Sequence, residues 1–448
     1  MTFEEIADFI LKAQKTPDAS LEMAATLLID TLGVAAGAAQ MEAGQIVRHH
    51  AIQFHAAGHP DHAATLLFDG RTASVPGAAF AAATQIDNLD AHDGYNPTKG
   101  HIGCAVVPTL CAFAEHLPDL LARDALAALA MSYEVAARAG IALHATVSDY
   151  HTSGAWNALG VAALGCRLLG TDAETLRHAL GIAEYHGPRS QMMREIATPT
   201  MLHDGSGMGA LVGSMAAYMA QKGFKGAPAI TLEAEDVAPY WADIGSAWTI
   251  EKNYIKPYPI CRWAHAAIDA LSQLVWRHDL NNQDIVSVEV MTFAEAAALF
   301  PSMPKTTSQA QYSLPFALAA WLVNGHIGPQ QITGAGLMDA RVADMLAKIT
   351  VHEDARHSAR FPEHRCSEVS LTLRDGTIMT SGDVHAKGGP EAPMTLAEIE
   401  AKFHMMVATL SRPRADAIWQ MRRRLLEPDV KFADLLALVH SDVEADHG

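Results

Sequence analysis

The sequence predicts a mainly α protein: a large all-α helical domain, discontinuous in the chain, with a smaller α+β domain inserted. Three observations carry this. Half of the 448 residues are apolar and alanine is very frequent, which suits closely packed helices. Apolar residues recur at helical spacing through the first half of the chain. Beyond about residue 280 the texture changes to strand-like alternation, and pure helix returns after Thr395. The expected boundaries are 1–267 with 395–448 for the helical domain and 268–394 for the inserted one.

In chain order, Thr2 and Glu5 make a capping box, and Phe3, Ile6, Phe9 and Ile10 share the face of a first helix that Pro17 ends. Residues 20–33 are apolar nearly all round (Leu21, Ala24, Leu27, Leu28, Leu32), which marks a buried helix. A helix over 41–57 follows; its His49, His50 and His55 read as surface or packing residues. Residues 64–75 form a short hairpin turning at Asp69-Gly70. Ser74 and Pro76 start a helix over 77–88, and Pro108 suits the first turn of the next. Helical runs are expected at 122–145, 153–170, 174–186 and 206–223, with Thr171 and Glu174 as another capping box.

In the inserted part, Val286-Ser287-Val288-Glu289-Val290 alternates as a half-buried strand does. Residues 308–324 read as one helix and Ile349-Thr350-Val351 as a short strand. Residues 368–379, turning at Asp375-Gly376, give a strong hairpin signal. Residues 386–390 look like a linker. Thr395 with Glu398 then caps a return to helix, through Arg412-Pro413 to the end.

Composition excludes some functions. Basic minus acidic residues is 32 − 50, or −18, which argues against nucleic-acid binding. The five cysteines (Cys104, Cys111, Cys166, Cys261, Cys366) lack CxxC spacing and read as free thiols of a reducing compartment. The first residues are acidic, with no basic leader. No uninterrupted run of eighteen apolar residues occurs, so no membrane span is expected and the protein is expected in the cytoplasm. There is no P-loop, GxSxG or HExxH, so no cofactor is expected.

Acid–base groups concentrate in residues 87–103, where three aspartates, two histidines and Lys99 are punctuated by Gly94, Pro97, Gly100 and Gly103. Asp87, Asp90 and Asp93 recur every three residues, but no second aspartate cluster completes a magnesium site, so no metal is expected. Asp93, Lys99 and His101 are proton-transfer candidates. Tyr150-His151-Thr152-Ser153 precedes a helix; with Ser153 as N-cap, His151 sits at an anion-favouring end. Gly205-x-Gly207-x-x-Ala210 faintly echoes a dinucleotide loop, but no strand precedes it; Asp204 or Ser206 is expected to cap the helix there. In the stretch 256–265, Lys256 and Arg262 are carboxylate clamps, with Arg189 and Arg194 weaker ones, and Asp269 is placed to steady His265.

At these residues the chain resembles the MmgE/PrpD family. The matching marks include Leu89-Asp90-Ala91-His92-Asp93 with His101-x-Gly103-x-x-Val106-x-Pro108, His151-x-x-Gly154, and Leu202-His203-x-Gly205. The most specific is Lys256-Pro257-Tyr258-Pro259-x-Cys261-Arg262-x-x-His265. The resemblance implies dimers of a discontinuous helical domain plus a smaller α+β domain, with the site between them. It implies bond making or breaking beside a carboxylate of a small anionic polycarboxylate. The family's reactions include 2-methylcitrate dehydration, cis-aconitate decarboxylation and iminodisuccinate epimerisation.

Dehydratase and decarboxylase sequences tend to carry Asp-Asp and then His-Pro where this chain has His92-Asp93 and His101-Ile102. A decarboxylase lysine falls near Thr200, while Lys99 has entered the first motif. These departures resemble the iminodisuccinate epimerase branch. The expected activity is therefore a cofactor-independent epimerase using two bases, Lys99 and either Tyr150 or His151, oriented by Asp93 and His101. Lys256, Arg262, His265, Arg194 and His203 are the expected substrate-binding residues. The alternatives are a hydro-lyase or decarboxylase on a small polycarboxylate, and a degenerate polycarboxylate-binding protein.

Overall fold

Thr2 caps the first helix, Phe3–Leu11, reciprocally: its hydroxyl accepts from the Glu5 N–H at 3.3 Å, and the Glu5 carboxylate accepts from the Thr2 N–H at 2.7 Å. The computed structural model describes residues 2–12 and 15–442. They divide into two units. The first joins Met1–Met192, Leu202–Asn253 and Phe403–Gly448; the second joins Met193–Met201 and Tyr254–Lys402.

The first unit is helical. Helices Asp18–Ala38 and Ala122–Thr146 are long and apolar enough to cross a membrane, a length that counting uninterrupted apolar runs did not anticipate. Both are mostly buried inside the protein, as core helices are. Asp18–Ala38 packs on Val75–Leu89, Ala122–Thr146, Gly103–Ala114 and Arg412–Arg424. The most extensive helix pairing sets Ser206–Gln221 against Gly154–Leu168. Ala63–Thr65 and Thr72–Ser74 form the expected hairpin, with Gly70 at φ 84 in its turn.

Several helix starts differ from expectation, each for a local reason. Asp172, not Thr171, caps Ala173–His186, accepting from the Thr175 N–H at 2.9 Å. Pro108 lies inside Gly103–Ala114 rather than in its first turn, because the helix starts directly after the 87–102 stretch. Ser153 makes no cap bond to its helix, since its hydroxyl is used elsewhere. The run 308–324 is two helices, Thr307–Gln311 and Leu314–Asn324. Ser313 breaks it by accepting from the Phe316 N–H, with Pro315 in the new first turn. The helical run expected after Thr395 is three helices, Leu396–Met406, Arg412–Arg424 and Ala433–Val439; residues 443–448 lie outside the described residues.

The second unit holds a five-stranded sheet. Ile285–Thr292 pairs in parallel with Ile349–Glu353 and antiparallel with Cys366–Leu373. Cys366–Leu373 also takes Ile378–Thr380, across the turn read at Asp375-Gly376, and the short Val384–His385. Val288 and Val290 are buried while Glu289 between them is exposed, the period-2 pattern of a one-sided sheet. Helix His265–His278 packs on Cys366–Leu373.

Candidate functional site

Helix Val75–Leu89 delivers the stretch rich in acid–base groups and stops because Asp90 turns left-handed at φ 55. The three aspartates therefore never share one helix face. A short 3₁₀ turn, Asn96–Thr98, is closed by Lys99, also left-handed at φ 53. Tyr95 N–H donates to the Gly100 carbonyl at 2.9 Å and pins the loop across its base. Glycines make the next approach possible. A Cβ on Gly100 would sit 2.4 Å from Ser153 Oγ, and one on Gly103 would sit 2.1 Å from Asp93 Oδ1.

The result is a buried polar cluster within the helical unit. The His101 ring bonds through Nδ1 to the Asp93 carbonyl at 2.7 Å. A carbonyl only accepts, so Nδ1 carries the proton and Nε2 is the nitrogen that exchanges one. Nε2 lies 3.7 Å from Asp204 Oδ2. Ser153 locks this pair: its hydroxyl accepts from the His101 backbone N–H at 3.0 Å and donates to Asp204 Oδ1 at 2.5 Å. Asn157 donates to the His101 carbonyl at 2.9 Å, and Tyr133 donates to Asp93 Oδ1 at 3.1 Å. The His92 ring packs edge-on at 4.6 Å from His101.

Asp87 stands behind His92, with Oδ1 3.5 Å from its Nε2. Its Oδ2 accepts from the Ser206 N–H at 3.1 Å, so Asp87, rather than the expected Asp204 or Ser206, satisfies the start of Ser206–Gln221. Burial, with the nearby charge of Asp204, raises the Asp87 carboxyl well above the usual range. Burial likewise raises the Cys104 thiol and the Tyr133 phenol. Cys104 is thus a hydrogen-bond donor, to Ser206 Oγ at 3.1 Å, and not a thiolate nucleophile.

Beside this cluster lies a less buried patch. The Tyr150 hydroxyl donates to the Lys99 carbonyl, and Lys99 Nζ lies 5.2 Å from the centre of the Tyr150 ring. His151 points back to the Asp149 carbonyl through Nδ1 at 2.8 Å, while its N–H donates to His144 Nε2 at 3.2 Å. Burial, then the charge of Lys99, lowers His144 to about 4, so its ring is neutral near pH 7. His144 escapes sequence reading because it sits late in an ordinary-looking helix; its neighbours Tyr150 and His151 are the only local hint. His203 is buried beside Asp204, its carbonyl accepting from the Gly205 N–H.

The remaining expected residues belong to the second unit. Lys256 and His265 are fully buried. His265 Nε2 bonds the Ile260 carbonyl at 2.8 Å, and burial with the charges of Arg262 and Lys256 keeps the ring neutral. Asp269 does not steady His265. It accepts from the Tyr258 hydroxyl at 3.0 Å and the Lys387 N–H at 2.7 Å, and burial raises it to about 6. Arg262 stacks 4.3 Å from the Tyr254 ring centre, and its two Nη groups hold the Lys387 and Ala386 carbonyls at 2.5 and 3.0 Å. Arg194 is exposed on the short helix Met192–Ala197.

Among the described residues, Asp87, His92 and Cys104, and also Asp90, His92 and His101, bring ligand atoms within 4.8 Å of one another. These are the groups that could hold an ion. Binding at the first triad would have to displace protons that burial holds on Asp87 and Cys104. The third such group, His357, Glu368 and Asp383, already has its carboxylates paired to Arg356 and Arg360.

Comparison with known proteins gives two family matches: the MmgE/PrpD N-terminal domain over residues 4–240 and the MmgE/PrpD C-terminal domain over residues 258–427. The chain is also 27% identical over 351 residues to cis-aconitate decarboxylase of Homo sapiens, covering 73% of this chain and 71% of that protein. It is 24% identical over 351 residues to cis-aconitate decarboxylase of Mus musculus, covering 73% and 70%.

Proposed function

This chain belongs to the MmgE/PrpD family, and on that premise we propose that it is a lyase of small polycarboxylic acids. The observation that carries the reading is the His101 imidazole, tautomer-locked by the Asp93 carbonyl with Nε2 facing Asp204. Such a nitrogen exchanges one proton with a carbon beside a carboxylate, and Asp204 stabilises the imidazolium form. In a decarboxylation, the electron pair of the broken C–C bond stays on the substrate, and His101 Nε2 delivers the proton to that carbon. In a dehydration, Nε2 takes the proton from carbon and the hydroxyl leaves as water, protonated by Tyr150. The resemblance to decarboxylases supports the lyase class over the isomerase class.

Epimerisation is the second reading, carried by Lys99 within the first motif and its seat against Tyr150. Lys99 would take the proton from one face of the carbon and a second base would return it on the other. One experiment separates the readings. Pure protein is incubated in D₂O with cis-aconitate, 2-methylcitrate and iminodisuccinate, and products are followed by NMR. Release of CO₂ or water, with one deuterium fixed in any decarboxylated product, is the expected result. Deuterium exchange at Cα with isomer formation, and no elimination, would replace the lyase reading by the epimerase one. No turnover of any of the three would favour a polycarboxylate-binding protein.

A further inference from the structure

Arg365 lies just before strand Cys366–Leu373 in the second unit and is only 6% exposed. Its Nε and Nη2 are both buried and have no hydrogen-bond partner among the described residues. Its guanidinium carbon lies 6.0 Å from the ring centres of both Tyr254 and Phe361, so two aromatic rings flank the charge. Buried charges in folded proteins are paired, because an unpaired one loses its hydration with nothing in return. An acceptor is therefore called for at this edge.

The two nitrogens identify its shape. Nε–H and Nη2–H point the same way from the planar guanidinium and match the two oxygens of one carboxylate. Among the described residues, three arginines use that edge on both oxygens of one acid. Arg71 grips Asp69 at 2.6 and 2.6 Å, and Arg177 grips Glu233 at 3.0 and 2.6 Å. Arg341 grips Asp339 at 3.1 and 2.7 Å, whereas Arg356 turns the same two nitrogens onto a single oxygen, Asp354 Oδ2, at 3.0 and 2.8 Å. Arg365 presents the same edge without the acid.

We propose that Arg365 anchors a carboxylate-binding site of the second unit, gripping one carboxylate of a small organic acid side-on through Nε and Nη2. Its surroundings hold a second cation, and the nearby acid Glu391 acts on Arg262. Arg262 stacks on the same Tyr254 ring, and its Nε is also buried without a partner. The buried acid Asp269 is already occupied by Tyr258 and Lys387. Glu363 and His364, the two residues before Arg365, are exposed, so the site lies close beneath the surface. The inference stands on this unit alone and holds whichever reaction the protein performs.

The test uses an acid that cannot react, propane-1,2,3-tricarboxylate, titrated calorimetrically into the full chain with inorganic phosphate as the comparison. Wild type binds the tricarboxylate more tightly than phosphate. R365Q weakens it by about tenfold or more, the loss of a charge-assisted fork, and R365K weakens it less. Without ligand, R365Q melts at the same or a higher temperature, because it removes an unpaired buried charge. No binding by wild type, or unchanged affinity in R365Q, overturns the proposal. A lower melting point of ligand-free R365Q also overturns it, since Arg365 would then be structurally paired. Phosphate binding as tightly as the tricarboxylate overturns the carboxylate assignment.

Discussion

At the scale of single residues, His101 is the group on which the proposed chemistry turns. Its Nδ1 holds the Asp93 carbonyl, so Nε2 is the nitrogen that moves a proton. Asparagine reproduces the Nδ1 donor and lacks any counterpart of Nε2. His101→Asn is therefore expected to keep the fold, with a circular dichroism spectrum and melting point close to wild type. It should lose about 10²–10⁴ in kcat on whichever acid is turned over, the ordinary worth of a general acid–base group. Steady-state kinetics check this, and a folded variant that keeps wild-type kcat would remove His101 from the mechanism. His101 and Asp93 were legible in the sequence because they sit eight positions apart in one loop. Asp204 and Ser153 were named only as helix caps, since their mutual bond spans 51 positions and no local pattern announces it. Arg365 left no signal at all: what marks it is a two-nitrogen edge without an acceptor among the described residues, which is visible only in three dimensions.

At the scale of elements, what was readable and what was not divides by distance along the chain. The Thr2–Glu5 cap involves positions three apart and was legible. The start of Ser206–Gln221 is satisfied by Asp87, 119 positions away, and was not. The helix that opens at Gly103 is the element that seats the loop on the site. Its first residue has no room for a side chain, because a Cβ would lie 2.1 Å from Asp93 Oδ1 and 2.4 Å from the Tyr133 hydroxyl. Both neighbours are buried and bonded to each other, so neither yields cheaply. Gly103→Ala is expected to destabilise by about 1–3 kcal/mol, the usual range for overpacking, visible in urea unfolding. Because Asp93 must move, its carbonyl releases the His101 ring, and kcat should fall together with stability. A variant as stable and active as wild type would show that Asp93 is not held where the proposed proton transfer needs it.

At the scale of the whole molecule, the net charge of −18 says little about pH behaviour, because the decisive groups are buried and pull in opposite directions. Asp269 rises from its ordinary 3.8 to about 6 on folding, chiefly through burial. Its stabilising contribution is complete below 3.8 and is lost as pH rises through 6. Asp87 is raised in the same sense. His144 falls from 6.5 to about 4, again chiefly through burial. Its contribution is complete above 6.5 and is lost as pH falls through 4. Between pH 4 and 6 the Asp269 and His144 slopes oppose each other, and Asp87 adds to the Asp269 side, so the wild-type curve alone isolates neither group. Asp269→Asn unmasks the balance. Asparagine can accept from the Lys387 N–H and donate to the Tyr258 oxygen, so both bonds of Asp269 survive. The variant no longer loses stability with rising pH, which at Asp269 amounts to about 3 kcal/mol across the window. Its melting point, relative to wild type, should climb from pH 4 to pH 7. A parallel pair of curves over that range would mean that Asp269 is ionised in the fold as readily as in water, and that its burial carries no electrostatic cost.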